Sequence, residues 1–115
     1  MTISFAAYFD VNNHVGRVFG ISVTQPRGYE FPTFSELVPP SDLVWTAKSG
    51  GISWEGYTEI YIAHLELNRE RIIQWVEFVP PDEFTLCCWE RNPQRCHRSI
   101  AAHYLETLGY DVYLL

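Results

Sequence analysis

An α/β sandwich is the fold class this sequence predicts: a small three-layer arrangement with a partly parallel sheet of about four strands flanked by helices. Three observations lead there. Residues 84–89, Phe-Thr-Leu-Cys-Cys-Trp, are a continuous apolar run of the kind found in strands covered on both faces. Apolar stripes with helical spacing lie on either side of that run. Gly109 closes the last stripe, and a short apolar segment follows it, as where a helix returns to a sheet.

The elements follow in order. Ile3 to Phe9 and Val18 to Thr24 read as strands, joined by Asp10-Val11-Asn12-Asn13-His14, whose Asp and Asn favour a turn. The two strands are expected to pair as a hairpin or to lie as neighbours, with Asp10 and His14 as ordinary turn residues. Residues 25–40 carry four prolines and the aromatics Tyr29, Phe31 and Phe34, so they resist regular structure yet can pack. Such a loop either walls a pocket or is stapled to the core.

Ser41 to Lys48 reads as a short helix capped by Ser41 and stopped by Gly50 and Gly51. Ser53 caps a second helix, in which Trp54, Tyr57, Tyr61 and Leu65 recur on one face, a stripe expected to pack on the sheet rather than to stack bases. Asn68 caps a third, through Ile72, Ile73, Trp75 and Val76, and Pro80-Pro81 separates it from the central strand. Asn92 is the candidate N-cap and Pro93 the candidate first residue of a fourth. Its stripe is Ile100, Ala101, Tyr104, Leu105 and Leu108, and counting back one turn puts Cys96 and His97 at the head of the same face. Tyr110 to Leu115 ends the chain as a strand. The whole resembles a reduced Rossmann-like or flavodoxin-like layer.

A chain of 115 residues, 47% apolar and 16% aromatic, suits a single domain spanning residues 1–115. Fourteen acidic against eight basic residues give a formal net charge of -6, which argues against non-specific binding to nucleic acid or to an anionic membrane. Five of the eight basic residues, Arg69, Arg71, Arg91, Arg95 and Arg98, lie between positions 69 and 98, so the field there can be positive locally. With no leader-like start and no membrane-length apolar run, a cytoplasmic protein is expected, and three cysteines without regular spacing fit a reducing compartment. A homodimer is compatible with the sequence.

The chemistry concentrates in Cys88-Trp89-Glu90-Arg91-Asn92-Pro93-Gln94-Arg95-Cys96-His97-Arg98-Ser99, where strand hands over to helix. Ligands of α/β proteins gather at such junctions. A helix N-terminus offers unpaired N-H groups, and Arg95, Arg98 and Ser99 sit around it, with Arg27 as a further candidate, so a small anionic ligand or substrate is the expected partner. A thiolate is also an anion, which makes Cys88 or Cys96 a candidate nucleophile or redox thiol, with His97 adjusting its protonation and Glu90 as general acid or base. Strand alternation turns Cys87 to the face opposite Cys88. Inert packing of these cysteines, and a non-catalytic anion-binding or protein-binding domain, are the competing readings.

Metal and cofactor signals are weaker. Cys88, Cys96, His97 and His103 are zinc-ligand types, but no Cys-x2-4-Cys knuckle is present and His103 falls on another helical face, so no metal is expected. Glycine-rich nucleotide loops are missing and no cofactor is expected. Arginine only two residues after Cys96 rules out the Cys-x5-Arg cradle of tyrosine phosphatases.

The pattern Leu-Cys-Cys-Trp-Glu-Arg-Asn-Pro-Gln-Arg-Cys-His-Arg-Ser resembles the signature of the DUF488 family, a Cys-x-Glu followed by Pro and then Cys-His-Arg before a helix. By that resemblance Cys88, Glu90, Pro93, Cys96, His97 and Arg98 are the signature residues. Gly51 to Tyr57, on through Tyr61 and Leu65, is similar to the family's middle helix, and Gly20-Ile21-Ser22-Val23-Thr24 to its earlier strand, so the likeness runs from about Val18 onwards in a short form of the family. It implies no assigned activity. By the same resemblance, relatives often place a basic residue directly after the early strand, where this chain has Gln25, and Arg27 is the candidate replacement.

Overall fold

A computed structural model describes residues 2–78, 83–89 and 96–115. Its elements are β1 (Thr2–Ala7), β2 (Arg17–Gly20), α1 (Ser41–Lys48), α2 (Trp54–Leu67), α3 (Arg69–Phe78), β3 (Glu83–Cys88), α4 (His97–Thr107) and β4 (Asp111–Leu114), with single 3-10 turns at Val11–Asn13 and Ser35–Leu37. The four strands form one sheet in the order β2-β3-β1-β4, flanked by the four helices in an α/β arrangement consistent with a Rossmann-like or flavodoxin-like fold.

Every pairing is parallel, so the sheet is parallel throughout rather than partly so. β1 and β2 form no hairpin and are not neighbours, because β3 lies between them, pairing Ile3 with Phe84 on one side and Phe19 with Leu86 on the other. The apolar run of β3 explains its place: a strand with no polar face is stable only where neighbours and both layers cover it. One face of the sheet, with Ile3, Phe5, Phe84, Leu86 and Cys88, joins a core to which all four helices contribute, among them Leu43, Tyr61, Ile72 and Leu105. On the opposite face Ala6, Tyr8 and Cys87 pack under Tyr29 and Phe31. Thr85 also faces that side; its hydroxyl accepts from the Val15 N-H at 2.8 Å and donates to the Val15 carbonyl at 2.8 Å, which ties down the β1–β2 connection.

β2 stops at Gly20 rather than at Thr24, since the proline-rich loop crosses there: Gly20 N-H donates to the Pro32 carbonyl and Phe34 N-H to that of Gly20. The aromatics of the loop, Tyr29, Phe31 and Phe34, are stapled to the core. Phe34 is fully buried and stacks on Trp75 at 3.6 Å, while the Gln25 amide accepts from Phe31 N-H and donates to the Phe31 carbonyl. A Cβ at position 20 would run into the Gln25 amide and the Tyr8 hydroxyl, so glycine there lets the loop close against the strand.

The stripes of α2 and α4 are buried as the sequence predicts, at Tyr57, Tyr61 and Leu65 and at Ile100, Ala101, Tyr104 and Leu105. Ser53 caps α2, accepting from Gly56 N-H at 3.1 Å. One cap differs from expectation: Pro40, not Ser41, holds the cap position of α1. Asn68 directly precedes α3, its carbonyl accepting from Ile72 N-H, while its side-chain amide donates to the His64 carbonyl of α2. Gly109, at φ 96°, ends α4 in a Schellman turn, with Gly109 N-H on the Glu106 carbonyl and Tyr110 N-H on that of Leu105. Among the described residues no helix is long and apolar enough to cross a membrane.

Candidate functional site

Because the strands run parallel, the C-terminal ends of β1, β2 and β3 meet along one edge, and the start of α4 packs against it. Cys88 is the last residue of β3. Cys96 holds the N-cap position of α4 with extended backbone, φ -114° and ψ 142°, so the helix begins at His97. The expected cap Asn92 and first residue Pro93 lie outside the described residues, as do Glu90, Arg91 and Arg95.

The sulfurs of Cys88 and Cys96 meet as a disulfide pair, with Cα atoms 7.7 Å apart. Cys88 is 0% exposed and Cys96 2%. Arg98 is wholly buried behind them, its Nη1 3.2 Å from the Cys88 sulfur and 3.8 Å from that of Cys96. A buried cation needs negative or polarisable partners, and sulfur carrying negative charge would serve. His97 Nε2 lies 2.6 Å from the Ile21 carbonyl. A carbonyl only accepts, so Nε2 carries the hydrogen there, and Nδ1, 4.0 Å from the Cys96 sulfur, faces the thiols. Tyr61 holds the imidazole edge-on at 5.8 Å, and its own hydroxyl is fixed on the Leu37 carbonyl.

Cys96 and His97 form part of the wall of a cleft of about 480 Å³. Other parts come from Ser22 to Thr24 beyond β2, from Pro39, from Trp89, and from residues around the junction of α1 and α2 that include Trp45, Lys48, Trp54 and Tyr57. Trp54 and Tyr57 stack at 5.3 Å, and the Lys48 ammonium lies 5.1 Å from the centre of the Trp45 ring. The Trp89 indole is fixed by donating to the Thr24 carbonyl at 2.7 Å.

The structure thus gathers Cys88, Cys96, His97 and Arg98, all singled out by sequence. It sets others apart. The Ser99 hydroxyl is engaged with the Cys96 carbonyl at 2.8 Å, and Arg27 is exposed on the loop and not among the residues lining the cleft. Gln25 serves as the brace of that loop. Cys87 lies on the far face, 3.4 Å from His14 Nε2, and burial pushes its thiol up to about 12, although the Arg98 charge pulls the other way. His103 is exposed beside Glu106. Sequence reasoning missed the Ile21 carbonyl and Lys48. No local pattern marks either, since only the docking of α4 and α1 gives them their place.

No curated protein and no solved structure matches the chain. The family model DUF488-N3a, described as the active DUF488-N3 subclade, matches residues 14–109, which takes in β2, all four helices and the whole of the site. The chain belongs to the DUF488 family.

Proposed function

We propose that this protein is a small thiol enzyme in which Cys96 is the nucleophile and Cys88 the second thiol. The observation that carries the reading is the meeting of two sulfurs from separate elements, beside a buried guanidinium and an oriented imidazole, at the wall of an open cleft. Arg98 stabilises negative charge on sulfur, and His97 Nδ1 takes the proton of Cys96. Glu90 is assigned general acid or base duty as a signature residue, and Arg95 anion binding from its place in the basic cluster of the sequence. The description of the matched family model as the active subclade supports catalysis.

The reaction class that two such thiols suit is exchange with a disulfide. The Cys96 thiolate attacks one sulfur of the substrate, forming a mixed disulfide as the substrate's other sulfur leaves as thiolate. The Cys88 thiolate then attacks the Cys96 sulfur and expels the remaining half. The two cysteines become one disulfide, one substrate disulfide becomes two thiols, and the two cysteine protons pass to the leaving thiolates. The cleft fits a ligand with a flat apolar body and an anionic group: Trp45, Trp54, Tyr57 and Trp89 supply the walls and Lys48 a cation. We place the protein in the cytoplasm, where glutathione returns such a pair to its reduced state.

The near-complete burial of both sulfurs favours a second reading, a domain that binds its ligand and transforms nothing. Iodoacetamide labelling of the reduced protein near pH 7, read by peptide mass, separates the two. On the enzyme reading Cys96 labels at least about tenfold faster than Cys87, and sulfate in the cleft slows it. If neither Cys88 nor Cys96 labels until the protein unfolds, thiol catalysis is abandoned and the binding domain stands.

A further inference from the structure

We infer that the reduced Cys88 and Cys96 sulfurs, together with His97 Nδ1, form a three-ligand site for a thiophilic divalent cation of the zinc class, and that filling it masks Cys96. The spacing of the sequence argues against zinc because no knuckle is present. The fold supplies what the spacing lacks, bringing one ligand from the end of β3 and two from the start of α4 so that all three donor atoms lie within 4.8 Å of one another. Zinc reaches thiolate sulfur at about 2.3 Å and imidazole nitrogen at about 2.0 Å, so donors this close need only small side-chain rotations to share one ion. The two sulfurs are bonded to each other in the structure, so an ion can enter only after reduction lets them part, and the Cα separation of 7.7 Å allows that without moving the backbone closer.

The second argument comes from His97. Metal-bound histidines usually give their other ring N-H to a carboxylate or carbonyl, which fixes the ring and presents a lone pair to the ion. The Ile21 carbonyl does this for Nε2 at 2.6 Å, and Nδ1 lies 4.0 Å from the Cys96 sulfur. Arg98 extends the outer layer, its N-H directed at the Cys88 sulfur, where it offsets part of the negative charge of two thiolates. Cys96 and His97 line the cleft, so a fourth coordination position would open towards it, as in zinc sites with three protein ligands. Binding replaces the two thiol protons with one divalent ion and changes no oxidation state. His103, exposed near the far end of α4, takes no part.

Metal binding needs only the positions of these groups, whereas the masking of Cys96 rests on the thiol reading above. The test uses the full chain, reduced and freed of reductant without air, titrated with cobalt(II) as a coloured stand-in and then with zinc(II). The expected result is one ion per chain with a thiolate-to-cobalt charge-transfer band that zinc abolishes. Cys88→Ser and Cys96→Ser should each cut that band by roughly half, and His97→Ala should weaken binding at least about tenfold. Cys87→Ser and His103→Ala should leave it unchanged, and far-UV dichroism establishes that each variant is folded. A missing band in the wild type, or one left undiminished by loss of Cys88 or Cys96 in a folded variant, overturns the site. The wild type alone gives a second readout, protection of Cys96 from iodoacetamide by zinc. Fast labelling that zinc does not slow sinks the masking and leaves the thiol reading intact. A cobalt band on thiols that never label when metal-free sinks the thiol reading and leaves the metal site standing.

Discussion

Tyr8 carries its hydroxyl into the protein interior, where it lies 2.6 Å from Ser22 Oγ, which in turn donates to the Thr24 carbonyl at 2.5 Å. Burial pushes this phenol from its ordinary 10.0 up to about 12, because a phenolate would lose its hydration there. A group whose folded pKa is raised holds its stabilising contribution below the unfolded value and loses it as pH climbs through the folded one. The urea midpoint should therefore fall between about pH 10 and pH 12, and Tyr8→Phe, although weaker at neutral pH by about 1 kcal/mol for the lost hydrogen bond, should fall less steeply. Equal slopes for the two proteins would show that Tyr8 is not involved. At this scale the sequence is informative where alternation decides: Cys87 and Cys88 do point to opposite faces. It is silent on Arg98 lying wholly buried against the sulfurs, because burial of a guanidinium depends on what a distant strand offers it.

Among the elements, the proline-rich loop is anchored chiefly by Phe34, which is buried against Trp75 of α3. Phe34→Ala should cost about 3–5 kcal/mol in a denaturant titration, because the surrounding rings cannot close the gap. Removing one ring should also loosen residues 25–33, which would be seen as faster amide exchange there than in α2. A loss under about 1 kcal/mol would mean that the loop is held mainly by Gln25. Helix interiors were legible because apolar periodicity is a local property, and Gly109 because only a left-handed residue ends a helix in this way. Strand and helix ends were not. β2 gives way at Gly20 to a crossing loop, and α4 begins after an extended Cys96. Each of these is decided by a partner remote in sequence.

For the molecule as a whole, the α/β class followed from one apolar run and three helical stripes, whereas the fully parallel sheet and its strand order did not. Both β1 and β2 carry residues that can face a core, and nothing local says which strand lies between them. The same ignorance affected the site: the thiols and His97 could be read along the chain, but the cleft beside them is built by α1, α2 and the segment after β2. Docking of these parts, rather than any single motif, turns a cysteine-rich turn into a place where a ligand can sit.

The interposed position of β3 also governs how the chain can acquire its structure. β1 and β2 are made first, yet they have no strand pairing to form with each other, and residues 83–88 must arrive to bridge them. A fragment ending at Phe78 should therefore show no cooperative thermal transition, and a cooperative melt of that fragment would count against this order of events. During synthesis two strands must wait with their hydrogen-bonding edges open, a condition that invites association between nascent chains. The sheet then closes late and through contacts distant in sequence, so folding should be slow for a protein of this size, and chaperone protection should matter most in the interval before β3 emerges.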